Sequence, residues 1–500
     1  MVRAARVLVA AAVITVTLAP PASATAGTPR AGKPPVLPEL PSLDPASPSL
    51  SAGGRAMLEA ASLEDAPRYA LSVTVDPGTG NVAGRMHARV PRPDVGAAQF
   101  RVLPGLTALQ AELRVRDVTV NGKRVNAEVD RALLRVPVTR NASKPVDVRL
   151  GFSYRVPRSG RTGGRPLSQE TIGVLSRSRD VVLLGHWFPL WLPPGADADP
   201  GLSGFGDIGN FAAGAITARV DVPTGYEVRS GGVNIDRVDK GSRTIVTESG
   251  VGLRDLALVV ARGLRNAETA AGDVTVRATA PADALDLDGV AHESAADVQT
   301  LSDMYAPYPW SEVDVVSAPL GPGIGGMEWP GMVWVAGIGE DSLGGVSLAL
   351  AHELAHQWWH ALVGNDSIRA PVVDEPLAQY SMCLVTARQQ LGDLECMGLG
   401  GRGPLGSGSA SCADRPTNHF RSADEYGLLI YDQAPGFYFA LSKAVGQDAT
   451  LTALRGVVTR HAFGIVTPAQ LRDELVAAFP DRAADVRASW DRYIGPPGCR

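Results

Sequence analysis

The segment His352-Glu353-Leu354-Ala355-His356 places two imidazoles four positions apart with a carboxylate between them. On a helix, residues i and i+4 share a face, so both rings can bind one metal ion, and Glu353 then lies beside it. A catalytic zinc needs a third protein ligand and an open position for water, and Glu375 at the start of the following helix completes a His2Glu set. A carboxylate there also suits the positive end of a helix dipole, but its distance from His356 favours ligation. His352, His356 and Glu375 are therefore read as the ligands of one Zn2+ per chain, with Glu353 as general base. Leu348, Leu350, Ala351, Leu354, Ala355, Trp358 and Trp359 make the motif helix apolar on more than one face, as a central helix should be. The two tryptophans belong to the core rather than to a carbohydrate or cofactor platform. His360 and Asp374 suit either a supporting role behind the ligands or a structural one. His186 and His419, standing alone, are read as structural.

The run HELAHQWWHALVGND followed by VVDEPLAQYS resembles the HExxH-x18-E pattern of the aminopeptidase N family of gluzincin zinc metallopeptidases. Upstream, Gly325-Gly326-Met327-Glu328-Trp329 resembles that family's GAMEN exopeptidase motif, and Tyr305-Ala306-Pro307-Tyr308-Pro309-Trp310 resembles the segment preceding it. Tyr431 falls where the family places its transition-state tyrosine, with Tyr426 as the rival position. Gly185-His186-Trp187-Phe188-Pro189 and Pro223-Thr224-Gly225-Tyr226 resemble segments of the family's N-terminal β domain. The likeness runs over residues 67–495 and is strongest over 305–380. Three positions depart from the pattern: Trp329 replaces the asparagine of GAMEN, Pro376 the glycine after the third ligand, and Tyr431 lacks the lysine-glycine that follows it.

The resemblance implies a multidomain α+β chain: an N-terminal all-β, saddle-like domain, then a thermolysin-like, mainly helical zinc-peptidase domain. It also implies hydrolysis of the N-terminal peptide bond of peptides or proteins. Zn2+ would polarise the scissile carbonyl and acidify its water, Glu353 would take that proton, and Tyr431 would hydrogen-bond the oxyanion. Glu328, flanked by Gly326 and Met327 in the substrate-binding segment, would pair with the substrate's free ammonium. An ordinary loop carboxylate is the plain alternative for Glu328. A thermolysin-like endopeptidase and a non-catalytic metal-binding module are the competing functions.

These residues need a scaffold. Residues 25–66 are Pro/Ser-rich and read as a linker with little packed structure. From Tyr69, alternating patterns with turns such as Asp76-Pro77-Gly78 and Asn121-Gly122 predict an all-β region over residues 67–265. The catalytic region, 266–500, turns helical near Ala280, with helices expected over 284–304, 346–363, from Asp374 onward, and within 471–493. After Tyr431 too few residues remain for a C-terminal helical-repeat domain.

Arg3 and Arg6 precede an apolar run, Val7 to Ala19, and Ala22-Ser23-Ala24 offers a cleavage site, so residues 1–24 are expected to be a signal peptide and the mature chain secreted. No later segment is apolar enough to cross a membrane. In an exported chain Cys383, Cys396, Cys412 and Cys499 are disulfide candidates; Cys396 with Cys412 is favoured because both flank the Gly/Ser-rich stretch 398–411. The net charge of -5 supplies no basic field for nucleic acid. A monomer is expected.

Overall fold

Alternating apolar residues from Tyr69 onward bury one face of each strand, and the resulting strands assemble around the pair Arg68–Asp76 and Asn81–Val90. The computed structural model describes residues 34–500 apart from 62, 64–65, 92, 94–95, 139–144, 160–172, 179, 194–204, 208, 210, 322–323, 339–342, 389–411, 497–498 and 500. Arg68–Asp76 pairs in parallel with Gly214–Pro223, and Asn81–Val90 pairs antiparallel with Val146–Arg155; these four are the centre of an 8-stranded sheet. Two 4-stranded sheets pack with it, one of them containing Val181–Leu184 and Leu258–Ala261. The N-terminal region is thus all-β, as expected.

Leu258–Ala261 is a strand of one of the 4-stranded sheets, and the next strand, Leu264–Ala271, belongs to another sheet. The second region opens with this 5-stranded sheet, in the order Leu264–Ala271, Val274–Pro281, Glu312–Ser317, Met332–Val335, Gly326–Met327. Sequence patterning passed over most of these strands; Leu264–Ala271, with three alanines and only Thr269 β-branched, carries little β signal by itself.

Helices cover the sheet. We label α1 (Ala52–Ala61), α2 (Leu287–Met304), α3 (Leu343–Ala355) and α4 (Glu375–Arg388). α2 begins three residues after the expected Ala284, where Asp286 caps it by accepting from the Gly289 N–H. The last described helices, Pro468–Ala478 and Ala483–Tyr493, match the expected 471–493 segment. No described helix is long and apolar enough to cross a membrane.

The expected linker needs correction from residue 34 onward. Ser51 donates its hydroxyl to the Tyr308 carbonyl, the Val251 N–H donates to Ser49 Oγ at 3.1 Å, and Leu50, fully buried, bridges to Trp310. α1 follows directly, with Gly54 so close that an added Cβ would lie 1.7 Å from the Pro309 carbonyl oxygen. The many prolines exclude regular structure but not docking; an extended strap pays little further entropy to lie on a surface that satisfies its backbone.

The favoured Cys396–Cys412 pair lies outside the described residues, since Cys396 does. Cys412 instead hydrogen-bonds Cys499, whose thiol is pushed up to about 12 by burial and by Cys412.

Candidate active site

α3 carries His352 and Glu353 on a helix whose Leu350, Ala351, Leu354 and Ala355 are buried. The expected helix to Val363 stops at Ala355. Beyond it the N–H groups of Ala361, Leu362 and Val363 donate to carbonyls five residues back, and His360 takes a φ of 149°. The cause is the pair of tryptophans. Trp358 Nε1 donates to the Ala306 carbonyl at 2.8 Å and Trp359 packs edge-on against Tyr305 at 5.0 Å, which a regular helix could not arrange for adjacent residues. The widened turn keeps His356 within one helical turn of His352 and swings His360 toward Asp374.

The three expected ligands meet. His352 Nε2 and His356 Nε2 are 3.1 Å apart, and each is 3.3 Å from Glu375 Oε2. Donors around a tetrahedral ion with bonds of about 2.0–2.1 Å stand roughly 3.3 Å apart, so the triangle fits zinc. Chemistry agrees with geometry. His356 Nδ1 lies 2.9 Å from the Trp359 carbonyl, which only accepts, so the ring hydrogen belongs on Nδ1 and Nε2 turns a lone pair inward. Lone pairs and a carboxylate oxygen converging in a buried space require a cation. Without one, burial opposes a proton on His356, but Glu328, Glu375 and Glu353 outweigh that and push its pKa well above the ordinary value. Burial would raise Glu375, yet hydrogen bonds from both imidazoles hold it well below the usual carboxylate range.

Glu375 heads α4 because Asp374 accepts from its N–H at 3.0 Å, and Asp374 is itself held by Ser367 Oγ at 3.0 Å and His360 Nδ1 at 3.3 Å. His360 and Asp374 thus stand behind the ligands. Tyr431, in the widened helix Gly427–Gln433, donates to Glu375 Oε1 at 2.7 Å and stacks toward His352 at 5.9 Å. Tyr426 packs one ring further out, 5.8 Å from Tyr431.

The other half of the site is the strand Gly326–Met327, which among the described residues pairs only with Met332–Val335. It crosses directly over Glu353: a Cβ on Gly326 would lie 2.4 Å from Glu353 Cγ. The open edge gives an extended peptide a strand to pair with. Glu353 is buried, and desolvation first, then the nearby charge of Glu328, raise its pKa well above the carboxylate range. Glu328 ends the strand, buried, and the same loss of water raises it to about 7.

Trp329 does not face the cleft. Its ring enters the β region, edge-on to His186 at 5.0 Å and to Trp334 at 5.0 Å, in a slot that exists because position 185 is glycine; a Cβ there would lie 2.4 Å from the indole. His186 is buried with φ 46°, and its backbone N–H donates to Asp255 Oδ2 at 3.0 Å.

Two residues escaped sequence reasoning. Gln357 donates to the Trp329 carbonyl at 2.9 Å and accepts from the Gly331 N–H at 2.9 Å, tying the turn after the metal motif to the Glu328 segment. Asp207 reaches the site from the β region, 3.6 Å from His360 Nδ1. Gln357 follows directly on His356 and was findable; Asp207 had only its glycine-rich surroundings to mark it.

No protein-family model matches the chain. Among curated proteins it is similar to aminopeptidase RNPEPL1 of Homo sapiens, 24% identical over 213 residues, covering 39% of this chain and 29% of that protein. The Mus musculus protein of the same name is 25% identical over 219 residues, covering 39% and 30%. The match therefore spans under a third of the length of these relatives. Among solved structures the chain is similar to an M1 zinc metallopeptidase from Deinococcus radiodurans, with a TM-score of 0.64 at 20% identity, covering 86% of this chain and 94% of that one. A single-site mutant of that protein bound to a Tyr-Ser-Ala substrate gives a TM-score of 0.63 at 19% identity over the same shares.

Proposed function

We propose that this chain, which has the two-domain fold of the M1 zinc metallopeptidases, is a zinc-dependent aminopeptidase that releases the N-terminal residue of peptides. The observation that carries the exopeptidase reading is the position of Glu328. It ends the edge strand that crosses Glu353, is more than nine-tenths buried, and receives no hydrogen bond from any described residue. An ionised carboxylate placed so needs a cationic partner, and a peptide's terminal ammonium supplies one.

A bound Zn2+, held by His352, His356 and Glu375, supplies electrophilic activation of the scissile carbonyl and of water. Glu353, desolvated and made more basic by its surroundings, takes the proton of the attacking water and returns it to the leaving amine. The Tyr431 hydroxyl, which donates to Glu375 Oε1 beside the ligand triangle, would turn that hydrogen bond to the developing oxyanion. Gly326 and Met327 hold the substrate backbone along the sheet edge, and Glu328 fixes where the peptide begins. The peptide bound in the Deinococcus structure supports peptides as the substrate class.

Initial rates on free peptides and their N-acetylated forms, with and without a chelator, test this. Free peptides should be cleaved from the N-terminus and acetylated ones far more slowly, with activity lost to chelation and restored by zinc. Equal cleavage of both forms would make the enzyme an endopeptidase. The leader sequence further supports secretion after cleavage behind Ala24; N-terminal sequencing of exported protein should then begin at Thr25.

A further inference from the structure

We propose a second cation site beside the first, formed by Asp207, Glu328 and His360, where a divalent ion of the zinc class takes the place of the substrate's ammonium and inhibits the enzyme when metal is in excess. One donor atom from each residue lies within 4.8 Å of the others. His360 Nδ1 and Asp207 Oδ2 are 3.6 Å apart, close to the edge of a tetrahedral ligand shell. One imidazole and two carboxylates suit Zn2+, Co2+ or Mn2+ rather than the all-oxygen preference of Ca2+ or Mg2+.

The three ligands reach the site from different elements: Asp207 from the β region, Glu328 from the end of the edge strand, His360 from the widened turn after α3. Asp374 Oδ2 and Ser367 Oγ lie 3.3 and 3.4 Å from the same Nδ1, so an ion bound at that nitrogen would displace the hydrogen bond to Asp374. Glu328 is a second and independent pointer. Its carboxylate is more than nine-tenths buried, faces this cluster, and has no hydrogen-bond donor among the described residues.

Asp207, Glu328, Glu353, Asp374 and Glu375 are all buried. The Asp207, Glu328 and His360 donors would take a second metal ion when metal is plentiful, where a substrate ammonium sits during turnover. The His356 and His360 rings are 6.3 Å apart, so the two ions would share the cleft without sharing a ligand. The inhibitory consequence rests on Glu328 as ammonium anchor; the metal site itself does not.

The test uses full-length mature protein already loaded with one equivalent of zinc. Further Zn2+ or Co2+ is titrated by calorimetry, bound metal is counted after dialysis, and crystals are measured at the zinc absorption edge. The expected result is a second, weaker equivalent, a second anomalous peak between Asp207 and His360, and zinc inhibition competitive with free-amine peptides. Asp207→Asn and His360→Gln should each return the metal count from two to one. A wild-type count that stops at one, or a second equivalent that survives both substitutions, overturns the site. Two bound ions with no effect on KM would leave the site standing and overturn its inhibitory role, and with it Glu328 as the anchor.

Discussion

Glu353 owes its basicity to three neighbours: the apolar helix that carries it, the glycine that lets the edge strand cover it, and the carboxylate of Glu328. A base must be ionised to work, so activity should fall as pH drops through the pKa of Glu353. Glu353→Gln should keep zinc content unchanged while kcat falls by about 10²- to 10⁴-fold, the usual contribution of general acid–base catalysis. Tyr431→Phe should lower kcat by about 10²- to 10³-fold with KM little changed, as loss of an oxyanion donor does, and Tyr426→Phe should do far less. Metal analysis with steady-state kinetics checks both. At this scale the sequence was informative wherever a helix fixes spacing, as it does for His352, Glu353 and His356. Asp207 stayed hidden because its partners Glu328 and His360 are far away in the chain and meet it only through the fold.

Among the elements, the segment bearing Glu328 is aimed by contacts on its far side. Trp329 fills the slot over Gly185, Gln357 holds the Trp329 carbonyl, and Gly331 packs 2.1 Å, measured from an added Cβ, against the Gly231 carbonyl oxygen. Gly185→Ala should therefore displace the indole and shift Glu328, raising KM for free-amine peptides several-fold while bound zinc stays at one equivalent. Unchanged KM would show that the slot does not aim the carboxylate. The asparagine-to-tryptophan departure was visible in the sequence as a difference, and its meaning was not, since only the structure shows the ring packed between His186 and Trp334. The end of α3 was misjudged for a related reason: apolar residues continue to Val363, so periodicity reads helix, while the packing of two adjacent tryptophans breaks it.

At the scale of the whole molecule, the β and catalytic regions are joined by more than the chain between them. Arg254, buried in the β region, donates to the carbonyls of Phe211, Ala361, Leu362 and Gly464, and burial depresses its pKa to about 9. The strap of residues 34–61 ties Val251 on one side to Tyr308 and Pro309 on the other. A chain begun at residue 67, the start suggested by composition alone, should melt several degrees lower than one begun at Thr25, measured by scanning calorimetry. The layer order of the fold was readable from where alternation gives way to helical periodicity. The strap was not, because a proline-rich stretch looks the same in sequence whether it docks or drifts.

Arg254 has a consequence for how the two regions move. Its guanidinium reaches the carbonyls of Ala361 and Leu362, in the turn that holds His356 and His360, and of Gly464, so swinging the β region away would strip three carbonyls of their donor and leave a buried charge unmatched. Hinge-like breathing of the two regions is therefore costly.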